Sequence, residues 1–334
     1  MINIGDSQSV PPDYCCPKCH GDLAQETNFY FCRACQKKYP VDFGIPDFRL
    51  EDDPYINIPD DHAKGARIVR ECRDRSLVGL LEFYWSITEN VEAGRAKQFV
   101  ATVLRGRQRA EDIVKWLQQQ KPEMARGSCL EIGCGAGEML PVLRRIWTNV
   151  TGVDRAYRWL VIAKLAAEHQ GMDIRLACAN AEHLPFRSDT FDAVVADNVI
   201  EHQNDRPDQV AFARDALRAA KPRQGFFFLS TPNRFAPLPD PHFNIPLLGM
   251  LPRGSAKPMV QLVRGKVYEF IRLLGAPELN ALLMEAGGGS VVMVPAQFGD
   301  EMFALKSVAS AYRSLARKRT FLAVCPVIWA LTTK

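Results

Sequence analysis

The chain has little charge of one sign and no long hydrophobic segment. Its 334 residues include 42 Lys and Arg against 38 Asp and Glu, which gives a formal net charge of +4 at pH 7. This balance does not by itself indicate a nucleic-acid or membrane partner. Residues 1–12 lack a basic segment followed by an apolar core, so no secretory signal is expected. The longest apolar run near the C-terminus, Phe321 to Leu331, is too short to span a bilayer and predicts a last buried strand.

Internal repeats and low-complexity tracts are also missing. The composition, 47% hydrophobic and 24% charged, is typical of a soluble globular protein. A chain of this length can form one α/β domain and a second, smaller module. Of the ten cysteines, four have metal-ligand spacing and the others are scattered. We therefore expect a metal centre in a reducing, cytoplasmic environment rather than a set of disulfides.

Two C-x2-C pairs stand near the N-terminus. Cys16 and Cys19 form the first pair, and Cys32 and Cys35 follow after twelve intervening residues. Two such pairs can complete a tetrahedral four-sulfur site, which favours zinc over an iron centre or disulfides. Cys15 and His20 adjoin the first pair and could replace a ligand, but the symmetric spacing favours the four cysteines. A module of about 40 residues cannot build its own core, so a structural metal is expected within residues 1–50.

A glycine-rich turn is the second motif. Glu131-Ile-Gly-Cys-Gly-Ala-Gly follows a short apolar run and precedes a helical pattern from Glu138 to Trp147. The alternate glycines allow a sharp turn and close approach of a ligand to a helix N-terminus. The next apolar stretch ends at Asp154, whose carboxylate is suitably spaced to bind both hydroxyls of a ribose. A dinucleotide fingerprint would need a small residue where Glu138 stands, so S-adenosylmethionine fits better than NAD. A plain strand-to-helix connection is the alternative.

Three further apolar stretches end in polar residues, at Asp173–Cys178, Phe191–His202 and Gly225–Thr231. With these motifs in order, residues 125–334 closely resemble the class I S-adenosylmethionine-dependent methyltransferases, in particular the type 11 group. The resemblance implies an α/β fold with a doubly wound, seven-stranded, Rossmann-like sheet. It also implies a final antiparallel hairpin.

Within residues 51–124, the Asp- and Pro-rich stretch 51–60 predicts a linker and the apolar spacing from His62 to Gln120 predicts helices. The insert 231–275 is unusually long, so we expect it to form a substrate cap; the alternative is a decorative or dimer-forming excursion.

The resemblance also implies a set of cofactor residues. Glu131 would brace the glycine turn, Asp154 would bind the ribose, and Asn180, where Asp is commoner, would accept a bond from the adenine amino group. The full set consists of Glu131, Gly133, Cys134, Gly135, Gly137, Asp154, Arg155, Asn180, Ala181, Asp197 and Asn198.

Methyl transfer to a hydroxyl or carbon acid requires a base, and an imidazole suits this task near neutral pH. We expect His202, after the fourth strand, or His242, in the cap, to serve. The alternatives are that His202 packs against the next helix and that His242 makes a structural hydrogen bond. The proline- and aromatic-rich cap predicts a small or lipid-like acceptor.

The N-terminal module resembles zinc ribbons related to the small activator subunit of some RNA and protein methyltransferases. An RNA or protein substrate docked through the ribbon is therefore a second hypothesis, and a non-catalytic protein that binds the cofactor is a third. Residues 14–50 carry five basic and four acidic side chains. Since an RNA-binding surface is usually more basic, nucleic acid is the less favoured partner.

Overall fold

The protein is represented by a computed structural model that describes residues 14–89, 91–265 and 271–334. It contains a four-stranded antiparallel sheet near the N-terminus and a seven-stranded mixed sheet. The small sheet consists of β1 (Leu23–Gln25), β2 (Phe29–Cys32), β3 (Lys37–Asp42) and β4 (Ile45–Pro46). Cys16, Cys32, Tyr39 and Phe48 are buried beside this sheet.

Four helices separate the two sheets along the chain. They are α1 (Ile58–Cys72), α2 (Leu77–Ser86), α3 (Ala93–Leu104) and α4 (Gly106–Gln120). Asn57 caps α1 and Ser76 caps α2, each accepting a bond from a backbone N–H three residues later. Helices therefore occupy most of residues 58–120. The linker expected over 51–60 is not a loose connection, because α1 begins at Ile58 and Asp53 is buried.

The large sheet has the order β10-β11-β9-β8-β5-β6-β7. Five parallel strands form most of it: β5 (Ser128–Ile132), β6 (Asn149–Asp154), β7 (Arg175–Cys178), β8 (Ala193–Asp197) and β9 (Phe226–Pro232). The antiparallel strands β10 (Val291–Pro295) and β11 (Val327–Thr332) complete it beside β9. Because helices cover both faces, the parallel strands are almost continuously apolar. The expected doubly wound seven-stranded sheet and terminal hairpin are confirmed.

Six helices accompany the large sheet. They are α5 (Leu140–Leu143), α6 (Tyr157–His169), α7 (Arg206–Ala219), α8 (Arg253–Arg264), α9 (Ala276–Glu285) and α10 (Lys306–Ala316). Among the described residues, none of the helices is both long and apolar enough to cross a membrane. Val267–Phe270, which belong to the insert 231–275 that is expected to form the cap, lie outside the described residues.

Two boundaries differ from the sequence expectations. The helix after the glycine turn has four residues rather than the ten of the Glu138–Trp147 pattern. It begins at Leu140, with a proline in its first turn, where the missing N–H of proline is tolerated. The last strand begins at Val327 rather than Phe321, since Arg319–Ala323 forms a 3₁₀ turn and Pro326 has no N–H for the ladder.

The edge of the large sheet at β7 is covered by the N-terminal module. Phe48 donates its backbone N–H to the carbonyl of Cys178 at 2.7 Å, and Asp47 bridges Cys178 in parallel. An edge strand otherwise exposes unpaired backbone groups. This pairing fixes the residues that follow it, 47–61, against the carboxyl ends of β6 and β7. We call residues 47–61 the strap.

Candidate cofactor and acceptor site

The glycine turn after β5 has a backbone that only glycine adopts easily. Gly133, Gly135 and Gly137 have φ values of +72°, +53° and +81°. A Cβ atom at Gly133 would lie 2.3 Å from Cγ2 of Val199, whereas one at Gly135 would meet no atom within 4 Å. Gly135 therefore faces open space and Gly133 is closely packed.

Asp154, at the end of β6, joins this turn to the neighbouring strand. Its Oδ2 accepts a hydrogen bond from the Gly135 N–H at 2.9 Å, and its Oδ1 accepts one from Ala156 at 2.8 Å. Burial raises the pKa of Asp154, although these two bonds oppose the shift. The carboxylate thus stands at the mouth of the turn, as the sequence spacing predicts.

A cavity of about 310 Å³ opens at this point. Of the predicted cofactor residues, its lining includes Gly133, Gly135, Asp154, Arg155, Ala181 and Asn198. His202 also lines it, as do Trp159 of α6 and two strap residues, Asp53 and Tyr55. Tyr55 keeps 67% of its surface exposed at the cavity's edge. The strap residues could not be predicted as part of this site, because no motif connects them to the glycine turn.

A second cavity, of about 170 Å³, lies on the other side of the turn and includes the predicted Glu131, Cys134 and Asp197. Arg109 of α4 donates from Nε to Oδ2 of Asp197 at 2.7 Å. Burial and neighbouring carboxylates raise the pKa of Glu131, and burial raises that of Glu138 to about 7. Glu131 Oε2 has no hydrogen-bond partner among the described residues. Sequence reasoning missed Arg109, which no local pattern marks.

Asn180 lines neither of these two cavities. It is only 1% exposed, and its Oδ1 accepts the backbone N–H groups of Leu50 at 2.9 Å and Glu51 at 3.3 Å. This oxygen therefore helps to hold the strap, and its contact with adenine stays a prediction. Gly137 also lines neither cavity. A Cβ atom at this position would lie 2.9 Å from Ala163 of α6. Its place in the turn is a packing requirement.

A buried network of ion pairs ties the strap to α6. Asp61 Oδ2 accepts from Arg49 Nη1 at 2.7 Å, and Asp61 Oδ1 accepts from Arg158 Nη1 at 2.9 Å. Arg49 also pairs with Asp47 at 2.6 Å, and Arg158 pairs with Asp53 at 3.0 Å. Asp61 further accepts the N–H groups of residues 157 and 158, which begin α6. The network fixes the side of the cavity that Asp53 forms.

The two predicted histidines, His202 and His242, meet beside the larger cavity, which His202 lines. The rings of His202, after β8, and His242, in the insert, lie 5.1 Å apart between centroids at 86°. Asp240 Oδ1 accepts the backbone N–H of His242 at 2.9 Å and thereby holds its loop. Burial lowers the pKa of His202 to about 3, and His242 beside it adds to this effect. Burial likewise lowers the pKa of His242. Both imidazoles are thus neutral near pH 7.

Glu201 completes this group and was missed as a site residue. It is fully buried, its Oε2 accepts from Thr231 Oγ1 at 3.1 Å, and burial raises its pKa to about 8. Glu201 Oε1 and His242 Nε2 have no hydrogen-bond partner within the described part of the chain. An unsatisfied buried polar atom costs roughly 1–3 kcal/mol. The signal available in the sequence was its position directly before His202.

The four cysteines of the N-terminal module form a separate cluster. Cys16 and Cys35 sulfurs are 4.0 Å apart, and those of Cys19 and Cys32 are 3.6 Å apart. A tetrahedral Zn–S distance of about 2.3 Å requires sulfurs about 3.8 Å apart, so the arrangement fits the ion. Tyr39 Oη lies 3.1 Å from Cys16 Sγ. Cys15 and His20 are outside the group of four whose ligand atoms lie within 4.8 Å of one another.

Comparisons with known proteins agree with this geometry. Residues 130–229 match the family model described as a methyltransferase domain. The ubiquinone biosynthesis O-methyltransferase of a Methylobacterium species is 36% identical over 140 residues, covering 40% of this chain and 53% of the relative. That of Dinoroseobacter shibae is 30% identical over 158 residues, covering 47% of this chain and 58% of the relative. The chain spans about half the length of the curated relatives it matches.

A solved S-adenosylmethionine-dependent methyltransferase from Clostridium acetobutylicum is similar with a TM-score of 0.47 and 12% identity, covering 68% of this chain and 90% of the other. The strand order, the glycine turn closed by Asp154 and the match over residues 130–229 have one common explanation. Residues 130–229 form the matched part of a methyltransferase domain with a Rossmann-like, seven-stranded sheet.

Proposed function

We propose that the protein transfers a methyl group from S-adenosylmethionine to a hydroxyl oxygen of a small or lipid-like acceptor. The main support is the cavity that runs from the glycine turn and Asp154 to His202, where the insert brings His242 alongside. The curated relatives are named as O-methyltransferases of ubiquinone biosynthesis, which favours oxygen as the acceptor atom.

The residues around the turn suit the two ends of the cofactor. Asp154 at the larger cavity would bind the ribose hydroxyls, and open space at Gly135 admits the ligand. Glu131, with an unpartnered buried oxygen, suits the methionine ammonium group, while Arg109 suits its carboxylate. When bound, S-adenosylmethionine supplies a methyl group whose bond to sulfur breaks, leaving its electron pair on sulfur, as the bond to the acceptor oxygen forms.

The chain's own contribution is alignment and exclusion of water. His202 and His242 are neutral and buried, so each can accept a hydrogen bond from the acceptor hydroxyl, and one of these imidazoles would take the hydroxyl proton as the bond between oxygen and carbon forms. Trp159 and the strap residue Tyr55 form apolar parts of the cavity lining. Such a lining suits an aromatic or lipid-like acceptor.

The cysteine cluster has a structural part in the proposal. We assign one zinc ion to Cys16, Cys19, Cys32 and Cys35, where it would hold the small sheet together. The strap, which borders the cofactor cavity through Asp53 and Tyr55, begins in the same module and continues beyond it. A folded ribbon therefore supports the cofactor site in the same chain.

The test has two parts. Calorimetry should show that Asp154→Ala weakens S-adenosylmethionine binding by roughly 1.5–3 kcal/mol, the scale of charge-assisted hydrogen bonds. Asp173→Ala, an exposed carboxylate before β7, is the matched control and should bind normally. Unchanged affinity in the Asp154 variant, or equal binding of NAD, would reject the cofactor site.

The acceptor is tested by incubating the protein and methyl-labelled cofactor with fractionated extract. Label is expected in the small-molecule or lipid fraction. Label in RNA or protein that falls steeply with added salt would instead support substrate docking through the ribbon. Cofactor binding without any transfer of label would support a non-catalytic role.

A further inference from the structure

We propose that a basic cavity in the insert binds a phosphate group carried by the acceptor. This inference deepens the proposed methyl transfer by naming a feature of its substrate. It rests on that function for its role, although binding of a phosphate ester can be tested without it. The basic cavity has a volume of about 400 Å³ and is distinct from the two cavities beside the glycine turn. A cavity of this size can enclose a small molecule.

Four cationic side chains line the basic cavity. They are Arg234 after β9, Arg253 and Lys257 of α8, and Arg272 before α9. Among the lining residues that the structure describes, Asp205 carries the one carboxylate, and this carboxylate caps α7. The wall of the cavity therefore has an excess of positive charge, which favours an anionic ligand.

A carboxylate behind this wall, that of Glu278, offsets only part of the charge. It pairs with Arg253 at 3.0 Å and with Arg272 at 2.5 Å. Burial lowers the pKa of Arg272, and the charges of Arg253 and Arg206 add to this effect, although Glu278 opposes it. Lys257 has no hydrogen-bond or ion-pair partner within the described part of the chain. Two guanidinium groups thus share one carboxylate, and the ammonium group has none.

The start of α8 is an unfavourable place for two cations when no ligand is bound. Arg253 and Lys257 are four residues apart, so they lie on the same face of the helix, where like charges repel each other. Arg253 also stands in the first turn, where the helix dipole disfavours positive charge. This turn contains no acidic residue and no side-chain cap. A bound phosphate would pair with both cations and offset their repulsion.

The apolar part of the lining indicates what carries the phosphate. Leu251, Ile271 and Leu273 also line the basic cavity. Arg234 holds its shape, because it donates from Nε to the carbonyl of Gly249 at 2.7 Å and from Nη2 to that of Leu251 at 2.9 Å. Inorganic phosphate would leave the apolar side chains uncovered, whereas a phosphate ester with a hydrocarbon portion would contact both kinds of side chain. The cavity therefore suits an amphiphilic phosphate ester.

The basic cavity adjoins the larger cofactor cavity along the segment that follows β8. Gln203 lines the cofactor cavity, and the next residue, Asn204, lines the basic cavity. Neighbouring Cα atoms are only about 3.8 Å apart. The backbone N–H of Arg272 donates to the carbonyl of Glu201 at 2.7 Å, which holds this cation's backbone against the same segment. An acceptor that spans both linings would place its hydroxyl beside His202 and its phosphate in the basic cavity.

The experiment measures the binding of hexyl phosphate to the full chain by calorimetry, with inorganic phosphate and 1-hexanol as probes of the two halves of this ligand. We expect hexyl phosphate to bind at least about tenfold more tightly than either, since burial of about two methylene groups already supplies that gain. Lys257→Gln should weaken its binding by about tenfold, the lower end of the effect of a charge-assisted hydrogen bond. Lys306→Gln, at an exposed lysine in the first turn of α10, is the matched control and should bind hexyl phosphate normally.

Three further readouts separate ligand binding from a structural role and from the cofactor cavity. Without ligand, Lys257→Gln should be at least as stable in urea as wild type, because it removes the repulsion with Arg253. Saturating S-adenosylmethionine should leave the affinity for hexyl phosphate unchanged, because the predicted cofactor residues line other cavities. The labelled product of the extract experiment should be retained less strongly by an anion-exchange column after treatment with alkaline phosphatase.

The inference is overturned if hexyl phosphate does not bind, if inorganic phosphate binds equally well, or if the Lys257 and Lys306 variants bind hexyl phosphate equally. It is also overturned if the Lys257 variant is less stable than wild type without ligand, or if S-adenosylmethionine displaces hexyl phosphate. A labelled product that phosphatase does not change would reject the phosphate site and leave the proposed function standing. Absence of any methyl transfer, with hexyl phosphate still bound through Lys257, would instead reject the proposed function and with it the acceptor role of the cavity.

Discussion

Asp61→Ala should be among the most destabilising single substitutions in this protein. Asp61 is 0% exposed and accepts four hydrogen bonds. Two come from the guanidinium groups of Arg49 and Arg158, and two from the backbone N–H groups that begin α6. The residue before α6, Ala156, provides no side-chain cap, so Asp61 caps this helix from α1.

The magnitude follows from those bonds. Charge-assisted hydrogen bonds contribute about 1.5–3 kcal/mol each and neutral ones about 0.5–1.5 kcal/mol. The simple sum overestimates the loss, because Arg49 keeps Asp47 and Arg158 keeps Asp53 as partners. We therefore expect a loss of about 3–5 kcal/mol in the free energy of unfolding, as for other buried pairs that lose one member.

The assay is equilibrium unfolding in urea, monitored by circular dichroism and tryptophan fluorescence. Asp60→Ala is the matched control, since Asp60 is the exposed neighbour on α1 and bonds only with Asn57 near the helix start. Its loss should stay below about 1 kcal/mol. The Asp61 variant should also bind S-adenosylmethionine more weakly, because Asp53 and Tyr55 line the cavity. Similar unfolding free energies for the two variants would refute the reasoning.

Three further predictions test the ribbon, the glycine turn and the strap. Cys32→Ser should remove about one equivalent of zinc in metal analysis, whereas Cys72→Ser on α1 should retain it; zinc kept by the Cys32 variant would contradict the assignment. Gly133→Ala should lower the free energy of unfolding by about 1–3 kcal/mol more than Gly135→Ala does, because only the added methyl group at position 133 contacts Val199. The Gly135 variant should instead bind the cofactor more weakly in calorimetry. Hydrogen bonds to two aspartates raise the pKa of His62 even though burial opposes the shift. The stability that protonated His62 contributes to the fold should therefore be complete below about pH 6.5 and be lost as the pH rises through the raised pKa. The free energies of unfolding of wild type and His62→Ala, measured below about pH 6.5 and again above the raised pKa, would test this.

Much of the fold could be read from local patterns. The apolar strands, the positive-φ glycines at 133, 135 and 137, and the polar residues at strand ends follow from backbone sterics and from burial of parallel strands on both faces. The spacing of the four cysteines predicts that they lie close together, since two residues between a pair of thiols allow both to bind one ion. Boundaries were less predictable: a helical pattern from Glu138 became a four-residue helix, and the last strand lost its first six expected residues.

The surroundings of the site were decided by tertiary structure. The resemblance implies an adenine contact for Asn180, and the structure adds that its oxygen accepts the backbone N–H of Leu50, 130 residues earlier in the chain. Arg109 and Glu201 entered the site in the same way, through helices and turns packed against the sheet. A residue's own neighbours in sequence determine strands, turns and local metal knuckles, because those depend on dihedral angles and spacing. Which distant group meets a buried oxygen or imidazole depends on how whole elements pack, and no periodicity along the chain encodes that choice.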